Sequence, residues 1–473
     1  MKAKEILEMG YPQGPLLNKA RAAAGTARMA GESVPSVRGT LRAVLRLPRQ
    51  FQNHPIYGNL ARALIEEGYA PPPPTAEEAA AEPAPRDEPL EYQVWGSDID
   101  EQAHQQMRNA CRLPVSVAGA LMPDAHVGYG LPIGGVLATD NAVIPYAVGV
   151  DIACRMMMTV FPLPPQALLD DMQRFKNVLE KNTRFGVGAE WKPRRQHPVM
   201  DEDWNVTPVT AQLKDLAHRQ LGTSGSGNHF VEFGDLTVSE RIQGLEPGRY
   251  LAVLSHSGSR GPGARTADHY SKWAMSLRQN LPSELRHLAW LDLAGDGAEY
   301  WAAMELMGKF ASANHHVIHR QIVEAVREEP LLQLENHHNF AWKEMHRGRE
   351  VIVHRKGATP AGRGVLGIIP GSMATPGYVV EGKGDLSSLN SASHGAGRRM
   401  GRNVAKKSLH WSDVQRYLKQ RGVTLLSAGL DEAPAVYKDI DEVMAAQESL
   451  VRPLAQFMPR LVKMAPSGER PED

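Results

Sequence analysis

The chain has 473 residues, with 53 basic and 53 acidic side chains and two cysteines, Cys111 and Cys154. That length buries a large core without staples, the charge balance excludes a whole-molecule field drawing the protein to nucleic acid, and two thiols exclude a disulfide scaffold. No apolar run of about 18 residues and no N-terminal apolar h-region appears, so neither a membrane span nor secretion is expected and the cytoplasm is the expected compartment.

Residues 1–69 are basic and broken by Gly and Pro, with one amphipathic candidate helix in NLARALIEEGY from Asn59, and read as a small helical or disordered appendage. Residues 70–90 are rich in Pro, Glu and Ala, a composition that cannot pack a core and predicts an extended spacer. Residues 91–473 have the composition of a globular domain. A helix is predicted after Pro165, with Leu168, Met172, Phe175 and Leu179 on one face. YLAVLSH from Tyr250 reads as a strand, and the stretch from Tyr300 to Val326 as a long helix. Strands follow at EVIVHRKG, GVLGIIPG and GYVVEG, and a capping box at Ser412 to Gln415 announces another helix. The sum is an α+β domain with central sheets and surrounding helices.

Polar and metal-capable residues recur at the ends of these strands, where loops rather than packing decide identity. VGVDIACRMMM offers Asp151 and Cys154, GTSGSGNHFVEF offers Asn228, His229 and Glu232, LSHSGSRG offers His256, and ENHHNFAW offers His337, His338 and Asn339. A cysteine, several histidines and a carboxylate make a good transition-metal set, and ligand softness alone favours zinc or iron. SASHGAGRRMGRN places His394 on a glycine-rich turn before Arg398, Arg399 and Arg402. Gly395 and Gly397 let the backbone approach an anion, a helix opening there would aim free N–H groups at it, and the arginines would fork onto phosphate oxygens.

Other motifs are weaker. GYVVEGKG nearly spells a phosphate-binding loop but has Gly384 where a hydroxyl should hold magnesium, and GRGVLG from Gly362 lacks the βαβ setting of a dinucleotide site. His315 and His319 stand at metal-friendly spacing without a partnering glutamate, and read as a polar helix face. Cys111 and the three methionines after Arg155 read as packing residues.

In chain order, LMPDAHVGYGLPIGG, VGVDIACRM, GSGNHFVEF, LSHSGSRG, HHNFAW, VHRKGATPAG, IPGSM and SHGAGR resemble the signature series of the RtcB family of RNA-splicing ligases, from about Trp95 onward. The resemblance implies that family's α+β fold. It also implies a reaction joining an RNA 3′-phosphate or 2′,3′-cyclic phosphate to a 5′-hydroxyl, with GTP as co-substrate and two Mn2+ ions. Carried over by position, it makes His394 the nucleophile that takes GMP, with Asp124 beside it. Asp151, Cys154, His229, His256 and His338 become the metal ligands, with Cys154 bridging both ions. Asn228, Glu232, Asn339, the Pro370, Gly371, Ser372, Met373 turn, Gly395, Ala396, Gly397, Tyr437 and Lys463 become GTP contacts, and Arg355, Lys356 and Arg398 are expected to meet RNA or phosphate.

Two alternatives accompany this reading: an enzyme that caps 3′-phosphates with GMP without joining, and a non-catalytic nucleotide- or RNA-binding accessory. Retention of His394, Cys154 and Asp151 argues against the accessory, because a clustered metal site is costly to keep. The natural RNA, the oligomeric state and dependence on an activating partner protein stay open.

Overall fold

The computed structural model describes residues 1–46, 48–67, 69 and 84–469. Most of the predicted spacer, 70–83, lies outside the described residues, as does 470–473. The chain divides into two compact units, Met1–Pro83 with Asn205–Gln212, and Ala84–Trp204 with Leu213–Asp473.

The first unit takes the helical form of the expected appendage. Besides Gly58–Glu66, which covers the predicted amphipathic stretch, it contains helices Ala3–Leu7, Pro15–Met29 and Val34–Arg46. Gly14, at φ +104°, turns the chain into Pro15, whose fixed φ suits a first helical residue. Ala20, Ala23, Ala24 and Ala27 then give the second helix a flat face against Ile6, Leu41, Tyr57 and Leu64. Small side chains that allow helices to approach closely carry little hydropathy signal, so this core is faint in the sequence.

The second unit is built on two sheets. The five-stranded sheet runs Tyr92–Val94, Ser116–His126, Ile133–Thr139, Arg349–Lys356, Asn339–His346. The larger sheet runs Leu366–Ile369, Gly377–Gly382, Val451–Met464, Phe230–Val238, Gly248–Ser257, Arg155–Phe161, Leu332–His337, with Thr424–Ser427 added parallel to Val451–Met464. Its two end strands are joined through a side chain: Asn336 Oδ1 accepts from Ile368 N at 3.0 Å and Asn336 Nδ2 donates to Ile368 O at 3.4 Å. Helices Met172–Asn182 and Gly297–Val326 cover this sheet, burying Phe175, Leu179, Ile318 and Ile322 against Phe161, Phe233 and Val253.

The predicted strands are present, but three local expectations fail. The helix after Pro165 is two helices, Gln166–Asp170 and Met172–Asn182, because Asp171 leaves helical geometry to cap the second through Arg174 N at 3.1 Å. The capping box at Ser412 does not form; helix Trp411–Gln420 starts earlier and is preceded by His410 without a side-chain cap. No helix opens at Gly395 to Gly397: the next begins at Arg402. Residues 84–90 also belong to the second unit, tied down by Arg86, which donates to Pro114 O at 3.1 Å and Ser116 O at 3.0 Å, and by Leu90 N, which donates to Cys111 O.

Candidate active site

Strand register gathers the polar residues that the sequence scatters over more than 250 positions. Phe230 and Met156 both stand opposite His256, and Arg155 stands opposite His337. Cys154, His229, His256 and His338 therefore emerge at one end of four neighbouring strands, and His338 N donates to Cys154 O at 3.0 Å.

The side chains converge as two triads sharing one sulfur, Asp151 with Cys154 and His229, and Cys154 with His256 and His338, each with its ligand atoms within 4.8 Å of one another. Cys154 Sγ lies 3.1 Å from His256 Nε2 and 3.5 Å from His229 Nε2; the His256 and His338 Nε2 atoms are 3.2 Å apart. His229 Nδ1 meets Ser224 O at 2.7 Å and His256 Nδ1 meets Asn228 O at 3.0 Å. Each of those nitrogens must carry the ring's proton, which leaves a lone pair on Nε2. Asp151 Oδ2 lies 3.1 Å from His229 Nε2, yet that nitrogen has no proton to give, so the oxygen is a buried acceptor without a donor. Ser259 N holds the other oxygen, Oδ1, at 2.9 Å. Burial lowers the His256 imidazole to about 3 and holds His338 well below its ordinary value. Burial is the largest single influence and acts to raise Asp151, but its polar neighbours together, the Arg260 charge among them, outweigh it and the carboxylate is favoured. Lone pairs facing one another in a buried space repel unless a cation lies among them. The donor set thus fits a transition-metal site.

His394 closes the opposite wall. It follows the short strand Ser391–Ser393, paired with Ala358–Pro360, and its ring centroid is 4.9 Å from that of His338. Its Nδ1 is 2.7 Å from Asp124 Oδ2, and the His394 and Gly395 N–H groups donate to the same oxygen at 3.1 and 3.3 Å. Asp124 is fully buried. Lys438 Nζ steadies its strand by donating to Pro123 O at 3.0 Å and Ala125 O at 3.1 Å. Gly397 is required here: at φ +77°, a Cβ would lie 2.1 Å from Asp124 O. The geometry turns Nε2 of His394, not Nδ1, toward the open space.

That space is a cavity of about 700 Å3 lined by Asp151, Cys154, Asn228, His229, His256, His338, Asn339, Lys356, His394, Gly395, Ala396, Gly397 and Arg398, among others. Beside it lies a slot of about 30 Å3, lined by Asn228, Phe230, Glu232, Pro370, Gly371, Ser372, Met373, Glu432, Tyr437 and Met464. A purine enters this slot only if a flexible wall gives way, and Met373 and Met464 are such a wall. Burial raises Glu232 well above the usual carboxylate range. Asn339 spends its amide on backbone, donating to Asp151 O at 3.2 Å and accepting from Gly357 N at 2.8 Å, and so ties the metal-ligand loop to the His394 wall.

Several expected contacts are redirected. Arg355 lines neither cavity: it is fully buried, held by Glu344 at 2.6 and 3.1 Å, by Ser391 Oγ, and over the Trp342 ring, so it is a structural ion pair rather than a phosphate contact. Lys463 also lines neither cavity. Alternation along Val451–Met464 sends Met464 to the slot and Lys463 to the opposite face, where its ammonium donates to Leu179 O at 3.1 Å. Arg398 reaches the cavity, but its guanidinium is engaged by Glu432 at 3.3 Å and Asp431 O at 2.7 Å, while Arg402 pairs with Asp431 and Glu432. Lys356 lines the cavity with its ammonium on Tyr129 O, and burial lowers it to about 7. His315 and His319 are fully buried rather than a polar face. Sequence reasoning missed His126 and Glu432. His126 lines the cavity two residues from Asp124 with its imidazole lowered by burial to about 4; Glu432 accepts from Tyr437, and its sequence neighbourhood carries no recognisable signal.

Comparison with known proteins agrees with this architecture. Residues 106–464 match the family model described as tRNA-splicing ligase RtcB. A protein named RNA-splicing ligase RtcB from Escherichia coli (strain K12) is 33% identical over 402 residues, covering 77% of this chain and 94% of its own. One of the same name from Mycobacterium tuberculosis is 32% identical over 426 residues, covering 75% and 98%. A tRNA-splicing ligase RtcB from Thermococcus kodakarensis is 30% identical over 414 residues, covering 72% and 86%. Among the described residues no helix is long and apolar enough to cross a membrane.

Proposed function

The chain belongs to the RtcB family, and from that membership and the cavity we propose that it is a GTP- and Mn2+-dependent RNA ligase. It joins RNA 3′-phosphate or 2′,3′-cyclic phosphate ends to 5′-hydroxyl ends through a GMP carried on His394. The observation that carries this reading is the 2.7 Å contact of His394 Nδ1 with buried Asp124, beside two metal-capable triads that share Cys154.

Asp124 fixes the His394 proton on Nδ1, so Nε2 keeps its lone pair and attacks the α-phosphorus of GTP; a P–N bond forms and pyrophosphate leaves. As positive charge grows on the imidazole, the same carboxylate stabilises it. A cyclic RNA end is first opened by water. An oxygen of the resulting 3′-phosphate then displaces the imidazole, giving a diphosphate-linked GMP, and the 5′-hydroxyl attacks the RNA phosphorus and expels GMP. When bound, the ions held by Asp151, Cys154, His229, His256 and His338 withdraw charge from phosphate oxygens. The slot accounts for the choice of purine. Glu232 is reluctant to ionise in its buried place, and guanine, through N1–H and N2–H, donates to both carboxylate oxygens as adenine cannot.

The test is incubation with Mn2+ and GTP labelled at the α-phosphate. Label attached to wild-type protein and not to His394→Ala supports the mechanism. Absence of label with GTP intact and metal bound overturns it in favour of an accessory role. Accumulation of GMP-capped RNA without joined product would favour the capping enzyme.

A further inference from the structure

The lining of the large cavity includes residues of the loop joining strands Ser116–His126 and Ile133–Thr139, and this loop displays Val127 and Tyr129 to solvent. Tyr129 is 66% exposed, and His287 stands edge-on to its ring with centroids 6.2 Å apart. Exposed aromatics are common on mobile loops, but this loop is held at three points. Gln106 takes Gly128 from both sides, donating to its carbonyl at 2.5 Å and accepting from its N–H at 3.0 Å. Gly130, at φ +71°, lies so close to His287 that a Cβ there would be 2.9 Å from the His287 carbonyl. Lys356, itself buried in the cavity wall, donates to the Tyr129 carbonyl. The backbone is therefore anchored while the ring makes an edge contact with His287 and stays largely exposed. That arrangement costs apolar exposure and gains a flat surface carried on backbone whose ordering entropy is already lost.

We propose that Tyr129 is a stacking platform for the terminal nucleobase of the RNA end brought to His394. The inference rests on the RNA-ligase reading. An end awaiting joining has an unstacked base, every base has a π-face, and aromatic platforms bind such ends without regard to sequence. Arg399, exposed and lining the same cavity, is suited to the adjoining phosphate. Tyr129 binds substrate and takes no part in bond making.

The test uses the full chain with Mn2+ and short RNAs carrying 2-aminopurine at the 3′-phosphorylated terminus, or at the 5′-hydroxyl terminus. Stacking quenches the probe. Wild type and Tyr129→Phe are expected to quench one of the two RNAs, and which one identifies the strand. Tyr129→Leu, with an unchanged unfolding midpoint, is expected to lose the quench and bind about tenfold to a hundredfold more weakly. Equal quenching and affinity in wild type and Tyr129→Leu, or quenching at neither terminus, overturns the platform. The ligase reading fails separately, through absence of label on His394 in the wild type with GTP alone.

Discussion

Two groups of buried histidines lie on either side of strand Gly248–Ser257, and they differ in one respect. Around Cys154, the Nε2 atoms of His229, His256 and His338 face the sulfur and one another, while Asp151 Oδ2 and His338 Nδ1 lack hydrogen-bond partners. Beneath the sheet, His315 meets Ser255 Oγ at 2.9 Å and Ser257 O at 3.0 Å, and His319 meets Ser255 Oγ and Thr159 Oγ1, both at 2.7 Å. All four ring nitrogens of the second pair are spent. Burial and spacing are alike in the two groups, and the convergence of unspent lone pairs separates a ligand set from a structural network.

The comparison breaks first at the shared sulfur. Cys154→Ala is expected to abolish high-affinity Mn2+ binding in equilibrium dialysis and to slow labelling of His394 by about a thousandfold or more. One ion retained at full affinity would mean the triads do not depend on a common ligand. Acid offers the next test, on histidines outside the ligand set. Burial lowers His319 to about 3 and His354 to about 4, and His354 is fixed neutral by accepting from Ile144 N and lying against Leu137 O. The unfolded chain takes these protons near pH 6.5 and the folded chain does not, so their stabilisation is present above about 6.5 and lost as pH falls toward their folded values. Between pH 6.5 and 4 each should remove on the order of 3 kcal/mol, read as a falling urea midpoint; a flat profile would mean these rings are protonated in the native state.

His319→Leu sharpens the contrast. It is expected to cost about 2 kcal/mol by leaving the Ser255 and Thr159 hydroxyls short of partners, with Mn2+ stoichiometry unchanged, and loss of metal would erase the distinction between the two groups. The smallest effect is expected from Lys463→Met: the GTP concentration giving half-maximal labelling should move by less than about twofold, whereas a large rise would return its ammonium to the proposed nucleotide site.

The motifs were legible in the sequence because each sits at a strand end whose residue identity is not dictated by packing, and His394, Cys154 and His338 are read from their own segments. Side-chain direction was not legible. Lys463 is one residue from Met464, which reaches the slot, and alternation along a strand turns that single step into opposite faces. The ion pairs of Arg355 and Arg398 were not legible for a different reason: their carboxylate partners Glu344 and Glu432 are 11 and 34 residues away, and nothing local announces the pairing. The alanine-lined core of the first unit was faint because hydropathy patterns weigh bulk, not closeness of approach.

Asn336 has a bearing on how the chain survives its own synthesis. Strands Leu366–Ile369 and Leu332–His337 end the large ladder, and an unpaired ladder end is a template on which another copy can add a strand. By matching the Ile368 N–H and carbonyl with one carboxamide, the chain stitches those ends into a seam and withdraws both templates together. One polar side chain thus leaves less open ladder edge for another copy to pair with.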